Sequence, residues 1–556
     1  MPPSTVKRVK KTSGLRHWMQ RVLEECDHVA AGFSADPVHD LRVALRRCRS
    51  MADGLMAIDP DPDWKRMKKA GKRLFQRLGE LRDIQIMMEW IDKLHPAEAS
   101  VARASVDLAS VARAPSPALQ QSEQNSGGPE HAGATEAEDH GRDPAAHALL
   151  EILHRREDEQ KHEARAALEE FDRKQWRQWS KSLPARAAHI RPGSAVFKHL
   201  ALERWTAARE LHTRALRNRS QVAFHTLRIG IKRFRYIVEN FLPAEHKLWS
   251  NDLKQMQDLL GEVHDLDVLW ATALSCRVFP DEDSRRCWHA RILEERKKRI
   301  EGYRQRMSGP NSLWEVWRAG LPQGKQIQEI ATRRMKLWAK ALDPDFAHSE
   351  RVARLALELY DGLNSAGLLG SLNGGSADAN ANAGVRGGLL MAALLHDVGK
   401  SKGNKGHHKA SLELIKTHDA PLGWKTEDMQ RAAIVARFHC GALPTRSHKT
   451  LRDLLPNEQK ITIQLAAILR VANALDVSHD GHIRRVQVEG EPWNSRRMAP
   501  PNCVTVAAEG YSARSDTARA VAAERYLLET LLRRPVLIRP MNTAPRVSGR
   551  TFSGRS

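Results

Sequence analysis

An internal repeat constrains this chain more than any other feature. His39–Arg49 reads HDLRVALRRCR and His225–Arg235 reads HTLRIGIKRFR, and both fit H-x-L-R-[VI]-x-[LI]-[RK]-R-x-R. A second shared element follows each: LGELRD at Leu78–Asp83 and LGEVHD at Leu260–Asp265, 39 and 35 residues after the respective histidine. Two elements in the same order at near-equal spacing describe one supersecondary unit used twice. Apolar residues around them recur at i, i+3, i+4 and i+7, which predicts helices. Residues 14–320 are therefore expected to form a mainly α, pseudo-two-fold pair of helical bundles.

The remainder divides by composition. Residues 97–146, rich in Ala, Ser, Gln and Gly and without aromatics, read as a flexible insertion inside the first copy. A second domain, also helical, is predicted over 340–540, with a Gly/Ala/Asn loop at 366–388 and a small α+β end. Strands are predicted at Arg484–Glu491, Cys503–Ala508 and Pro535–Ile538, with a helix at Ala518–Arg533 before the last. Residues 541–556 read as a disordered basic tail. No run of about 18 apolar residues exists, so no transmembrane helix is expected, and the basic N-terminus has no apolar segment of the kind a signal peptide needs. The six cysteines are scattered without a CxxC pair. That excludes a zinc ribbon or disulfide framework and points to a reducing cytoplasm.

Charge says what kind of partner to look for. The 556 residues carry a formal net charge of +22, which calls for a polyanion. On a helix, His39, Arg42, Arg46 and Arg49 share one face, as do His225, Arg228, Lys232 and Arg235. Lys65, Lys69, Lys72 and Arg73 extend the first face, and Lys254 stands six residues before LGE as Lys72 does. From Leu41 to Arg77 there are eleven basic residues against four acidic ones, and from Arg204 to Arg235 nine against one. A single charge run is usually a solvated face. Here the run occurs twice in one phase, is mostly arginine, whose fork suits phosphate oxygens, and lacks neutralising neighbours. The stripe carries no aromatic platforms for base stacking, and the tryptophans Trp18, Trp64, Trp205 and Trp249 suit core positions. A phosphate polymer without bases fits better than nucleic acid.

These twin helices with their LGE elements resemble the CHAD domain over roughly residues 14–320. The resemblance implies paired four-helix bundles that bind inorganic polyphosphate in a central basic pore, with some members associated with polyphosphate granules. It implies His39, Arg42, Arg46, Arg49, His225, Arg228, Lys232 and Arg235 as ligands, with Lys72 and Lys254 as weaker additions. Beside a polyanion, the imidazoles of His39 and His225 are expected to become cationic.

The second domain carries different chemistry. Ala392–Lys400 reads AALLHDVGK, His348 opens an upstream helix, and GHHK (Gly406–Lys409), ARFH (Ala436–His439) and LRVANALDVSHD (Leu469–Asp480) follow. Imidazoles and carboxylates gathered from separate helices form a donor set suited to a divalent transition metal, and Lys400 offers charge to a phosphate. The composite resembles the HD superfamily of metal-dependent phosphohydrolases, and within it the C-terminal domain of the exopolyphosphatase and guanosine pentaphosphate phosphatase family. That resemblance implies His348, His396 and Asp397 as metal ligands and Asp397 and Lys400 as catalytic. The family's fourth ligand is an Asp where this chain has Asn473, and Asp476 lies three residues on along the same helix. The fourth ligand, the metal and turnover itself stay open. Three readings result: a cytoplasmic polyphosphate-binding protein with a metal-dependent phosphohydrolase domain, a granule-associated scaffold without catalysis, and a nucleic-acid or alarmone-binding protein. His407, His408 and His439 are candidates for a second metal or phosphate shell. The sequence does not give the oligomeric state.

Overall fold

The computed structural model describes residues 14–95, 143–369, 379–489 and 503–541, and it is mainly α. The chain divides into two compact units at Leu321/Pro322, with a five-residue stretch, Ala57–Asp61, grouped with the second. Among the described residues, no helix is long and apolar enough to cross a membrane.

In the N-terminal unit, the first copy comprises α1 (Leu15–Ala31), α2 (Ala35–Leu55), α3 (Pro62–Ala70), α4 (Lys72–Leu94) and α5 (Pro144–Glu169). After α6 (Arg173–Ala187), the second comprises α7 (Ala195–Asn218), α8 (Gln221–Phe241), α9 (Pro243–Cys276) and α10 (Glu282–Met307). α11 (Leu313–Ala319) closes the unit. The motif helices α2 and α8 are both 21 residues long. Their buried stripes correspond one for one: Val38, Leu41, Leu45, Cys48, Ala52 and Leu55 against Phe224, Leu227, Ile231, Phe234, Val238 and Phe241. Repeated sequence thus becomes repeated packing. In each copy the motif helix lies on the helix before it, and the LGE helix lies on the helix after it. The copies meet as α2 on α8 and α4 on α9. A Cβ at Gly54 would stand 2.5 Å from the Phe241 ring, so the close approach of α2 to α8 requires glycine there. Trp64 and Trp249 are core residues, as expected, whereas Trp18 and Trp205 are only half-buried.

The C-terminal unit contains α12 (Gln326–Leu342), α13 (Phe346–Ser365), α14 (Ala379–Leu395), a 3₁₀ turn (Val398–Lys402), α15 (His407–Lys416), α16 (Thr426–Arg437), α17 (Lys449–Arg452) and α18 (Pro456–Leu475). α18 is buried on every side between Ile461 and Leu475 except at Asn473, which marks it as the central helix. Strands β1 (Arg485–Glu489), β2 (Val504–Glu509) and β3 (Val536–Pro540) form one sheet in the order β1-β2-β3, with α19 (Asp516–Glu524) and α20 (Tyr526–Leu532) between β2 and β3. β1 pairs antiparallel with β2 (Val488 opposite Val506), and β3 pairs parallel with it (Ile538 opposite Val506). The three expected strands and the intervening helical stretch are present to within a residue or two at most ends.

The C-terminal ends of both predicted loops are helical. Most of the 97–146 insertion lies outside the described residues, but its end is helical. Asp143 caps α5 by accepting from the Ala145 amide, Pro144 occupies the first turn, and Ala145 and Ala146 are fully buried. In the 366–388 segment, residues 370–378 lie outside the description, whereas 379–388 are helical. There Arg386 makes two 2.8 Å hydrogen bonds to the Asp361 carboxylate, and the Tyr360 hydroxyl donates to Asn382. These contacts override the weak propensity of a Gly/Asn-rich run. The basic tail from 542 on lies outside the described residues.

Candidate functional sites

The repeat brings its basic faces together. Arg42 and Arg46 of α2 lie close enough to Arg228 and Lys232 of α8 for each group to feel the others' charge. Burial and the Arg228, Arg46 and Arg42 guanidinium groups depress Lys232 to about 7. The aspartates of the LGE elements face the same centre. Crowding by protein atoms lifts Asp83 above the ordinary carboxyl value, against the pull of Arg42, Arg228 and Lys232. Asp265 is raised to about 6 by desolvation and by Asp83, against Arg228 and Lys232. Four cations and two carboxylates from four helices thus share one site, with positive charge in excess. The side-chain Nε atoms of Arg46 and Arg228 and the Tyr236 hydroxyl are buried there without a hydrogen-bond partner. Buried donors in proteins are almost always paired, and these three stay open to an oxygen acceptor.

The ten predicted residues do not all converge. Arg49 turns aside: its guanidinium donates to the Lys68 carbonyl at 2.7 Å and covers the Phe75 ring. Arg42 donates to the Gly79 carbonyl at 3.3 Å yet stays in the cluster. Arg235 lies 3.9 Å from Glu239. Lys72 and Lys254 are exposed, each 11 residues before the aspartate of its copy. On a helix that is nearly the same face, about 16 Å from the centre. His39 lies beside Arg46 and Arg82, and His225 beside Arg228 and Lys232. His225 Nδ1 is 3.2 Å from His264 Nδ1. Desolvation and these cations lower both His39 and His225, so in the free protein they are held neutral, opposite to the state expected beside a polyanion. Sequence reading passed over Arg82, Asp83, His264, Asp265 and Tyr236. Four of them occur in the LGELRD and LGEVHD elements, which stand out in the sequence only as repeat markers.

The second site lies in the C-terminal unit around Asp397, which is buried with His348, His396 and His439. α13 supplies His348, the end of α14 supplies His396 and Asp397, α15 starts with His407, and His439 follows α16. The HDVGK turn needs its glycine: a Cβ at Gly399 would meet the His407 carbonyl at 2.0 Å, so α15 packs directly on the turn. The Ser411 hydroxyl links the two, accepting from the Gly399 amide at 2.9 Å and donating to the His396 carbonyl at 2.7 Å.

Each imidazole is oriented by its Nδ1. His396 donates to the Ala393 carbonyl at 2.7 Å, His439 to that of Ala436 at 2.7 Å, and His407 to that of Asn404 at 2.9 Å. His348 donates to the Asp476 carboxylate at 2.8 Å. Because carbonyls and carboxylates accept only, this leaves Nε2 as the lone-pair nitrogen in the neutral ring. All four Nε2 atoms approach Asp397. Those of His396 and His348 lie 3.3 and 3.9 Å from Oδ2, and those of His407 and His439 lie 3.3 and 3.7 Å from Oδ1. His407 and His439 bring their Nε2 atoms within 3.1 Å of each other, a repulsive contact between two lone pairs unless a proton or a metal ion lies between them. His396 Nε2 and Asp397 Oδ1 are buried without a hydrogen-bond partner. Lys400 Nζ stands 2.5 Å from Asp397 Oδ2. Burial pushes Asp397 up, but His396, His439 and Lys400 outweigh it and hold the carboxyl far below its usual range.

The two candidates for the fourth ligand separate here. Asp476 occupies the Nδ1 side of His348, is gripped by Arg351 Nε at 2.9 Å and accepts from the Gly481 amide at 3.2 Å. Such a carboxylate orients a ligand histidine from behind. Asn473 Oδ1 lies 3.0 Å from His348 Nε2, on the donor side. Donors therefore form two triads that share Asp397: one with His348 and His396, the other with His407 and His439. His407, His408 and Cys440 make a further grouping at its edge. The donor set of imidazole nitrogens and a carboxylate, with orphaned atoms on both partners, fits a divalent transition metal.

Family comparison identifies two domains. Residues 14–274 match the family model of the CHAD domain, and residues 330–496 match that of Ppx/GppA phosphatase, domain III. A search among curated proteins finds no match. The chain thus joins a CHAD domain to a Ppx/GppA phosphatase domain III, a pairing that supports a polyphosphate-related function.

Proposed function

We propose that the N-terminal unit binds inorganic polyphosphate at the junction of its two repeats, and that the C-terminal unit is a metal-dependent phosphohydrolase for polyphosphate or a phosphorylated nucleotide. The observation that carries the first part is the convergence of Arg42, Arg46, Arg228 and Lys232 around buried donors that lack acceptors. His39 and His225 flank this centre, Lys72 and Lys254 extend it along α4 and α9, and Arg49 and Arg235 support it from the rim. Titration of the full chain with polyphosphate and with single-stranded DNA at fixed salt tests the assignment. Polyphosphate should bind more tightly by a wide margin, and equal affinities would leave only nonspecific counterion release.

Binding takes up protons. Lys232 at about 7 and Asp265 at about 6 are partly deprotonated near neutrality, and a polyanion raises both values by favouring the protonated forms. Affinity should therefore fall as pH rises from 6 to 8.5, and Lys232→Arg should flatten that fall, measured by calorimetry in buffers of different ionisation enthalpy. For the free chain the sign is opposite. Lysine titrates near 10.4 when unfolded, so between about pH 7 and 10.4 the unfolded state binds more protons. The contribution of Lys232 to stability then rises with pH across that window.

In the C-terminal unit, His348, His396, Asp397 and Asn473 would hold the metal, with His407 and His439 on the other oxygen of Asp397. A bound divalent ion supplies Lewis acidity toward a phosphoryl oxygen and lowers the pKa of water. The protein's part is orientation. The Ala393, Ala436 and Asn404 carbonyls and Asp476 fix the imidazoles, and Lys400 holds positive charge at the mouth of Asp397 where a phosphate would dock. Phosphate release from polyphosphate and from nucleotides, with Mn²⁺, Zn²⁺ or Mg²⁺ added, tests turnover.

Asn473 favours a second reading, a polyphosphate-binding scaffold without turnover, because a neutral carbonyl holds a cation less firmly than a carboxylate. Asn473→Asp should raise metal affinity by about tenfold or more, the scale on which even outer-sphere partners act. If the wild type releases no phosphate while Asn473→Asp does, the domain is a scaffold. We further propose that the chain is cytoplasmic and associates with polyphosphate granules, which fluorescence microscopy of the tagged chain in polyphosphate-accumulating cells tests.

A further inference from the structure

The two copies of the repeat are not equivalent at the residue after the motif's last arginine. In copy one that residue is Ser50, whose hydroxyl donates to the Arg47 carbonyl at 3.0 Å and accepts from Asn240 at 2.8 Å. In copy two it is Tyr236, whose hydroxyl is buried with no partner. The Arg46 guanidinium lies 5.8 Å from the centre of the Tyr236 ring. Burial raises the phenol's pKa, while Arg46, Arg235 and Arg228 pull it down and Glu239 pushes it up. The hydroxyl is therefore a neutral, directional donor surrounded mainly by cations. Glu239, the carboxylate that acts on the phenol, is already taken by the Arg47 guanidinium. Arg46 Nε and Arg228 Nε, whose guanidinium charges both reach the phenol, are also buried and unpaired.

Three buried donors, contributed by both copies, thus lack acceptors at the same junction. Cations alone would attract any polyanion. A hydroxyl closed off from water needs an oxygen acceptor delivered to it, and a phosphoryl oxygen meets that need. We propose that Tyr236 is a ligand-binding residue which, with Arg46 Nε and Arg228 Nε, seats one phosphoryl group of the polymer where the two repeats join. This inference rests on the polyphosphate reading above. It adds a residue from outside the basic motif and a polarity to the site, since the seat has no counterpart at Ser50.

The test exploits the neutrality of tyrosine. Binding of inorganic polyphosphate of defined length to the full chain is measured over a series of salt concentrations for wild type, Tyr236→Phe and Arg46→Lys. Phenylalanine keeps the ring under Arg46 and removes only the hydroxyl, and lysine keeps the charge while exchanging the guanidinium, with its Nε donor, for an ammonium. Each variant should bind about tenfold more weakly at every salt concentration. The slope of log K against log salt should stay that of the wild type, because that slope counts charges rather than hydrogen bonds. Tyr236→Phe should melt no lower than wild type, since it deletes an unsatisfied buried group. Wild-type affinity in both variants, or a changed slope in Tyr236→Phe, would overturn the seat. Failure of the wild type itself to bind polyphosphate would instead sink the functional reading on which the seat rests.

Discussion

Simultaneous replacement of Arg42, Arg46, Arg228 and Lys232 by alanine should abolish polyphosphate binding. Hydrogen bonds to charged groups are worth about 1.5–3 kcal/mol each. Even the lower figure gives about 6 kcal/mol for four, roughly four orders of magnitude in Kd. Residual binding should depend less on salt, the slope of log K against log salt falling by about three if each lost contact counts as it does on a single-stranded polyanion. The fold should survive. All four side chains are partly exposed rather than core, and removing mutually repelling cations relieves charge crowding that Asp83 and Asp265 offset only in part. Circular dichroism and melting check this. A folded quadruple variant that still binds polyphosphate would refute the junction as the binding site.

The second large effect concerns Asp397. Each of its oxygens faces two imidazoles, so Asp397→Asn removes the one anionic donor common to both triads. Metal measured by mass spectrometry after dialysis should fall from the wild-type stoichiometry to background. Stability supplies an independent reading. A metal present at about a thousand times its Kd stabilises the folded state by about 4 kcal/mol. Wild type should therefore lose melting temperature on addition of EDTA, and Asp397→Asn should be indifferent to it. The substitution preserves side-chain volume, so collapse of the cage is not expected. Retained metal in a folded Asp397→Asn variant would show that the histidines act elsewhere.

Much of the N-terminal unit was legible because a repeat is read twice. An 11-residue motif recurring in register gave two helices, their buried stripes and their shared basic face, and α2 and α8 are accordingly of equal length. What escaped was the second partner in each contact. Asp83 and Asp265 sit in α4 and α9, and nothing local says that their carboxylates turn into the arginine cluster. Arg49 shows the converse. Helical phase puts it on the stripe, but a side chain of three methylenes and a guanidinium reaches the Lys68 carbonyl instead.

The C-terminal site divides in the same way. The HD pair and the scattered histidines identify themselves by residue type. Which nitrogen each imidazole presents is decided by the Ala393, Ala436 and Asn404 carbonyls and by Asp476, which become neighbours only on folding. Asn473 and Asp476 are three residues apart on one helix, and periodicity treats them as equivalent. Only the packing of α13 against α18 puts one on each side of the His348 ring. Sequence by itself determined the two-unit, mainly helical plan, the doubled basic stripe and the inventory of metal donors, because periodicity and residue chemistry are local properties. Tertiary structure alone decided which donors converge, which are claimed by the fold and which, like Tyr236, are left without a partner, because burial and hydrogen-bond satisfaction depend on groups far apart in the chain.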